Sequence, residues 1–155
     1  MGDKAETLRF TETEDAVNHV LDAGEDAGDR RVIEVPVKTL DELLNGREPV
    51  LFKIDVEGFE WPALQGARRL LASSALKALI IELNGSGGRY GFEDEKIHRL
   101  LLSNGFAPYS YDPFGRQLKR IDKYGNWNTI YIKDPDWINH RLGEAKKFRI
   151  LNIEV

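Results

Sequence analysis

The chain has 155 residues, a formal net charge of −4 and 41% hydrophobic residues, so it can bury one core and carries no broad basic surface for nucleic acid. It contains no cysteine, which excludes disulfides, thiolate chemistry and Cys-ligated zinc. The first ten residues are largely polar, and no apolar run approaches the roughly 20 residues of a membrane span, so we expect a cytoplasmic protein without a membrane partner.

The amino-terminal segment, residues 1–31, is expected to be a weakly ordered lead. Thr7–Phe10 predicts a short strand within it. The stretch after this strand is rich in Glu, Asp and Gly and predicts a loop with a brief helix near Ala16–Leu21. Val32–Val37 then begins the core, which we place at residues 32–135. It is rich in β-branched residues, and Pro36 within it favours an edge strand.

A capping box predicts where the first helix begins. Thr39 and Glu42 fit the T-x-x-E pattern, in which each side chain bonds the backbone amide of the other residue. Leucines at positions 40, 43 and 44 give this helix an apolar face. Asn45-Gly46 is a typical helix stop.

Two apolar runs predict neighbouring strands. Val50–Asp55 is nearly continuous in apolar residues and ends in a charge, which is typical of a strand buried on both faces of a parallel sheet. Glu60–Leu71 predicts a helix, with Pro62 in its first turn. Leu76–Leu83 contains the second apolar strand. Because a helix joins them, the two strands should be parallel with a right-handed crossover.

The last part of the core predicts a loop, a helix and two more strands. Asn84–Gly88 is rich in glycine and predicts a flexible loop, either a mobile lid or a plain linker, because it comes too late in the chain for a donor-binding loop. Glu93–Asn104 predicts a helix, and Phe106–Tyr111 and Asn128–Lys133 predict strands, which a tight connection should make antiparallel. Residues 136–155 are expected to form a terminal helix and an extended tail.

The densest polar signal lies at the carboxyl end of the first apolar strand. Asp55, Glu57 and Glu60 fall within one strand-to-helix turn, and Gly58 between them allows a sharp bend or a close approach. Ligands of open α/β sheets bind outside the carboxyl ends of the strands, which favours a functional site here. Carboxylates before a helix also serve as caps, so a purely structural role stays open.

Four pieces of sequence, in order, resemble the FkbM methyltransferase family. Lys53–Glu60 resembles its K-I-D-V-E-G-x-E signature, and Leu64–Ala67 resembles the L-x-G-A helix that follows. Thr39–Leu43 is similar to the preceding T-L-D-x-L helix, and Ile80–Leu83 resembles the next strand, which contains a Glu near its end. The resemblance covers roughly residues 32–112 and, more loosely, 126–133.

The resemblance implies a Rossmann-like class I methyltransferase sheet with the strand order 3-2-1-4-5-7-6. Val50–Asp55 would be strand four, Leu76–Leu83 strand five, Phe106–Tyr111 strand six and Asn128–Lys133 strand seven. The expected fold class is therefore α/β, a partial sheet of strands four to seven with an antiparallel last strand, in which the amino-terminal strands one to three are missing.

The function implied is methyl transfer from S-adenosylmethionine to a hydroxyl of a small molecule or sugar. In this resemblance Asp55 faces the methyl-transfer pocket, where it and Glu57 act as catalytic carboxylates or together hold Mg²⁺. Asp55 and Gly58 would contact the methyl donor. The residues expected to contact the substrate are Glu60, Glu82 and Asn84.

The loop with which the family binds the methyl donor is not found, since no D-x-G-x-x-x-G pattern precedes Asp55. The isolated chain is therefore expected to be inactive without a donor-binding half, and the edge of strand four should be open. We expect this edge to form a homodimer, to be covered by Thr7–Phe10 and Val32–Val37, or to bind a complementing amino-terminal half. The alternative function is an inactive remnant that binds a partner or itself.

The remaining aromatic and histidine residues are expected to be structural. His98 lies on a predicted helix, where a surface position is commoner than a ligand role. The tryptophans predicted to pack are Trp61, Trp127 and Trp137. Core packing is favoured over an acceptor pocket for Tyr90, Phe92, Tyr109 and Tyr111. Asn126 and Asn128 fit either a substrate contact or turn chemistry.

Overall fold

A computed structural model of the chain describes residues 1–12, 18–22, 24–125, 127–151 and 153–154. The strands are β1 (Glu6–Thr11), β2 (Val32–Val37), β3 (Leu51–Ile54), β4 (Ala78–Glu82), β5 (Ala107–Asp112), β6 (Gln117–Arg120), β7 (Asn128–Ile132), β8 (Arg149–Ile150) and β9 (Ile153–Glu154). The helices are α1 (Leu40–Leu44), α2 (Glu60–Gln65), α3 (Arg68–Ala72), α4 (Asp94–Ser103) and α5 (Pro135–Glu144), with a 3₁₀ helix at Ser86–Tyr90. No helix among these residues is long and apolar enough to cross a membrane.

A five-stranded mixed sheet forms the centre of this α/β fold, in the order β3-β4-β7-β5-β6. β3 and β4 are parallel, whereas β7 runs antiparallel to both β4 and β5. The predicted parallel pair and antiparallel last strands are therefore confirmed. The order β3-β4-β7-β5 agrees with the order four, five, seven, six that the resemblance implied. β6, which the sequence did not predict, extends the sheet as a hairpin partner of β5.

The prediction that β3 is buried on both faces is wrong. Ile54 is 1% exposed and Phe52 is half-buried, so one face of the strand packs on the core. Leu51 is 55% exposed and Lys53 is also exposed, because nothing among the described residues forms a layer over the other face. β3 is also an edge strand, since β4 is its only sheet neighbour in the described part of the chain.

The lead segment forms its own two-stranded sheet. β1 and β2 are antiparallel and place Leu8 opposite Val35 and Thr7 opposite Pro36. The two predicted strands are confirmed, but the expectation that they cover the β3 edge is wrong, because they pair with each other and belong to a separate sheet. Residues 16 and 17 of the brief helix expected near residues 16–21 lie outside the described residues. The helix prediction is wrong for residues 18–21, which are not helical, and Val20 forms an isolated bridge with Phe10.

The apolar core lies between β4, β7 and the helices on one side of the sheet. The predicted helix over Glu60–Leu71 is interrupted at Gly66-Ala67 and forms α2 and α3. Its predicted inner face is confirmed, because Leu64, Leu70 and Leu71 are buried. Other members of the same cluster are Leu40, Ile54, Leu76, Leu79, Ile81, Leu83, Ile97, Leu101, Phe106 and Tyr131.

Asp41 joins α1 to α3 across 28 residues of sequence. Its two carboxylate oxygens accept hydrogen bonds from the backbone amides of Arg69 and Leu70, at 2.9 and 3.0 Å. These amides lie in the first turn of α3, which has no partner for them within the helix. The backbone amide of Asp41 donates in return to the carbonyl of Gly66 at 2.9 Å. Asp41 therefore serves as a cap supplied from another helix.

Replacing Asp41 by Ala should lower the free energy of unfolding by about 1–2 kcal/mol, the usual cost of losing a side-chain helix cap. Two amides of α3 would lose their acceptor, whereas Asp41→Asn would keep one acceptor oxygen and lose less. Urea unfolding followed by circular dichroism measures the difference. Asp122→Ala is a matched control at an exposed carboxylate. Equal midpoints for Asp41→Ala and this control would contradict the capping role.

Candidate functional site

The chain leaves β3 through a tight turn at residues 56–59. The amide of Phe59 donates to the carbonyl of Val56 at 3.2 Å. Both central residues have positive φ, 52° at Glu57 and 97° at Gly58, which is the type I′ pattern. Glycine adopts this conformation freely, but a glutamate in the left-handed region is strained by about 1 kcal/mol or more. Such strain is found most often where a side chain has a functional position.

Gly58 lies directly against the loop that follows β4. A Cβ atom on Gly58 would come within 2.6 Å of the Ser86 carbonyl oxygen and 2.7 Å of its carbon. The two backbones therefore touch, and only glycine leaves room for the contact. The sharp bend predicted for Gly58 is confirmed, and its close contact with the Ser86 backbone fixes the turn after β3 against the 3₁₀ helix at Ser86–Tyr90.

Glu60 holds the turn from inside. Its side chain is 3% exposed, and Oε1 accepts a hydrogen bond from the Val56 amide at 3.0 Å. Burial raises the pKa of the Glu60 carboxyl above its usual value, although hydrogen bonds from backbone amides oppose the shift. This geometry is that of a structural clamp, the alternative that the sequence left open for a carboxylate before a helix.

Three other carboxylates meet at the carboxyl ends of β3 and β4. Oxygen atoms of Asp55, Glu57 and Glu82 all lie within 4.8 Å of one another. The Lys53 ammonium lies 2.5 Å from Asp55 and holds the pKa of that carboxyl below its usual value. Burial, followed by the negative charge of Asp55, raises the pKa of Glu82. The pKa values of the two neighbouring carboxyls therefore shift in opposite directions, downward at Asp55 and upward at Glu82, so Glu82 is the one that binds a proton more readily.

These carboxylates line one end of a cavity of about 590 Å³ between the β1–β2 sheet and the turn after β3. Its other walls are mostly apolar. The lining residues besides the three carboxylates are Met1, Leu8, Phe10, Asn18, Val20, Val35, Val37, Val56 and Phe59. We call this the acid-ended cavity. Its volume lies within the range of small-molecule sites.

Tyr90 connects the two sides of the acid-ended cavity. Its hydroxyl donates to the carbonyl of Val20 at 2.5 Å, and its ring packs edge-on against Phe59 with centroids 5.2 Å apart. Val20 and Phe59 both line the cavity. The prediction that Tyr90 packs is therefore confirmed, and the contacts made by this ring keep the β1–β2 side at a defined distance from the turn.

The structure brings some of the predicted site residues together on the cavity and places others away from it. Asp55, Glu57 and Glu82 come together on the cavity, and Gly58 lies beside them in the turn. Glu60 is directed into the turn, and the side chain of Asn84 accepts from the Ser86 amide at 2.9 Å. Neither of these two lines the cavity. Asn128 is an exposed residue at the start of β7. Asn126 lies outside the described residues.

Two predictions on ring residues are wrong. His98 is 7% exposed rather than on the surface, and its Nδ1 is 2.7 Å from the Tyr131 hydroxyl in the core. The helical face that carries His98 also carries Leu101, so α4 points it inward. Trp127 does not pack, because 73% of its surface is exposed. Trp61 does pack, against Phe92.

The β1–β2 wall of the acid-ended cavity was not predicted from the sequence. Leu8 and Phe10 alternate with polar residues in β1, and Val35 and Val37 alternate with the exposed Glu34 and Pro36 in β2. Alternation is typical of a sheet with one covered face, and this signal could have shown that the lead segment has an inner side. The acidic loop between these strands led instead to the prediction of a weakly ordered segment.

The acid-ended cavity lies at the carboxyl ends of two parallel strands, which is where open α/β sheets bind their ligands. Residues 4–108 match the family described as the Methyltransferase FkbM domain, and the chain belongs to this family. The match includes β1 and β2, so the strands that wall the cavity are part of the family's domain. No curated protein and no solved structure matches the chain significantly.

Gly58→Ala should destabilise the protein by roughly 2–4 kcal/mol, because the added methyl group would clash with the backbone at Ser86 and strain a positive φ. Gly88→Ala is the matched control, since a Cβ there meets nothing within 4 Å and its φ is not positive. Thermal unfolding of both variants measures the difference. A Gly58→Ala protein as stable as the control would show that the loops do not touch.

Glu60→Gln tests the buried carboxyl by its pH dependence. A raised pKa in the folded state means that the stabilising contribution of Glu60 is complete below its unfolded pKa, near 4.5, and is lost as pH rises through the folded value. The amide keeps an acceptor for Val56 but does not ionise. The stability of Glu60→Gln relative to the original protein should therefore increase from pH 4 to pH 7. Urea midpoints across this range measure it, and a constant difference would be the contrary result.

Proposed function

We propose that this chain forms the acceptor side of an FkbM-type site that transfers a methyl group from S-adenosylmethionine to a hydroxyl of a small molecule or sugar. Family membership supports methyl transfer as the reaction. The observation that carries the proposal is the meeting of Asp55 and Glu82 on the acid-ended cavity, at the ends of two adjacent parallel strands.

The charge of the cavity fits the proposed donor. S-adenosylmethionine supplies a methyl group that is activated by a positively charged sulfur. A cation is favoured beside an ionised carboxylate, and Asp55, whose pKa is lowered, provides one at the edge of an otherwise mostly apolar cavity. Asp55 and the backbone at Gly58 are the residues that we assign to the donor side. Glu82 is assigned to the acceptor.

The reacting hydroxyl must be oriented towards the methyl group, and a basic group must accept its proton. In the proposed mechanism its oxygen forms the new bond to the methyl carbon as the carbon–sulfur bond of the donor breaks and its electron pair stays on sulfur, which leaves as an uncharged thioether. The hydroxyl proton passes to the Asp55–Glu82 pair. Lys53 keeps Asp55 ionised and therefore ready to accept a hydrogen bond from the hydroxyl. Glu82, whose pKa is raised, is the member of the pair on which the proton comes to rest.

The sequence also predicted two further substrate contacts and a magnesium ion. Glu60 and Asn84 remain proposed substrate contacts, but each already binds the backbone of its own loop. Carboxylate oxygens suit Mg²⁺. Lys53 already supplies a positive charge to Asp55 at 2.5 Å, so this donor set does not favour a divalent ion, and we derive no step through a metal.

The exposed edge of β3 supports a second part of the proposal, that further donor contacts come from outside the described fold. An edge strand offers unpaired backbone groups to another strand, and Leu51 within β3 is 55% exposed. We propose that a complementing amino-terminal half pairs there. A homodimer through this edge, or a remnant that only binds a partner, are the rival uses of the same surface.

The test compares S-adenosylmethionine with S-adenosylhomocysteine, which lacks the methyl group and the positive charge. Both would be titrated into the labelled protein, with amide shifts of residues 56–58 as the readout. We expect weak binding, with the charged compound preferred by about fivefold, the value of one modest charge interaction. Asp55→Asn should remove the preference. Asp122→Asn, at an exposed carboxylate, is the control.

Two results would count against this function. The first is the absence of any shift at the turn with millimolar donor, which would leave the cavity without a role in donor binding. The second is an equal preference in the original protein and in Asp55→Asn, which would separate Asp55 from the methyl group. Light scattering on the same samples detects a homodimer.

A further inference from the structure

The acid-ended cavity also restricts the acceptor. We infer that the acceptor is a largely apolar molecule that carries a protonated amine close to its reacting hydroxyl, in short an apolar amino alcohol. This inference rests on the proposed function, because it assigns the cavity to the acceptor. It goes further in naming the chemical class that the walls and the charges of the cavity recognise.

Apolar side chains form most of the cavity wall. They come from both sides, with β1 and β2 contributing four of them and the turn after β3 contributing Val56 and Phe59. The four from the hairpin are Leu8, Phe10, Val35 and Val37. A polyhydroxylated molecule would lose hydrogen bonds to water against this surface without replacement, which costs free energy. An apolar body instead gains from leaving water.

The polar end of the cavity has an excess of negative charge. Its lining includes the carboxylates of Asp55, Glu57 and Glu82, and no lysine, arginine or histidine is among the described lining residues. Lys53 approaches from outside the lining and pairs with Asp55. No ion pair among the described residues joins Glu57 to a cation. A cationic group on the acceptor would complement Glu57, whereas a carboxylate or phosphate would be repelled.

The backbone holds Glu57 where this pairing is possible. Glu57 occupies the first central position of the turn with φ 52°, next to Asp55 on the cavity. Its oxygen atoms lie within 4.8 Å of those of Asp55 and Glu82, so a group bound to Glu57 is a close neighbour of the pair that receives the hydroxyl proton. This short separation requires the amine and the hydroxyl to lie near each other on one molecule.

Three adamantane compounds of matched size test the inference on the intact chain without a methyl donor. They are 3-amino-1-adamantanol, which is protonated at neutral pH, the uncharged 1,3-adamantanediol, and 3-hydroxyadamantane-1-carboxylate. Dissociation constants would be measured by amide shifts at low salt. We expect the amino alcohol to bind about five- to tenfold more tightly than the diol, and the carboxylate to bind more weakly than both.

Variants identify the residue responsible. Glu57→Gln should remove the preference for the amino alcohol over the diol. Glu57→Gly, which suits the positive φ, should do the same and remain folded if the glutamine variant does not. Glu34→Gln is the matched control, because Glu34 is exposed on β2 and does not line the cavity.

Equal binding of the three compounds, tighter binding of the carboxylate, or no binding of any compound at millimolar concentration would overturn the inference. A preference that survives in both Glu57 variants would also overturn it. None of these results depends on S-adenosylmethionine, so a failure here is distinct from a failure of the donor titration. The amino alcohol could be recognised even if the donor is not, and the reverse also holds.

Discussion

The contact between the Gly58 backbone and the Ser86 carbonyl is the constraint on which the rest of the site depends. It brings the loop after β3 against the loop after β4, so that residues from two strands face one cavity. The turn itself is held from inside by Glu60, whose carboxylate is buried on the Val56 amide. Burial raises the pKa of this carboxyl, so the stability that Glu60 contributes falls as pH rises through the folded value, while its hydrogen bond with the Val56 amide defines the shape of the turn.

Local signals explain why much of the fold could be predicted from the sequence. The capping box at Thr39, the apolar run of β4 and the glycine within the acidic turn each act over a few residues, and the structure contains all three. The parallel pairing of β3 and β4 followed from the helical connection between them, since crossovers of this kind have one hand. The meeting of Asp55 with Glu82 was not predicted, although the carboxyl ends of parallel strands share one edge of a sheet.

Features that depend on distant partners could not be predicted in this way. An apolar run such as Val50–Ile54 does not reveal whether both faces of its strand are covered, and here one face is exposed. β6 has a single apolar residue, Leu118, and forms only because β5 offers it a partner. His98 is buried because Tyr131, 33 residues away, supplies a hydrogen-bond partner within the core. In each case the deciding neighbour lies far along the chain.

The left-handed backbone at Glu57 has a consequence for the evolution of this domain. Glycine would fit this position with less strain, so a chain free of any demand on its carboxylate gains stability by replacing it. The strained glutamate therefore costs stability, which a function of its carboxylate would have to offset. Copies of this domain that no longer catalyse a reaction should more often have glycine at this position. The residue found there would then distinguish active copies from inactive ones.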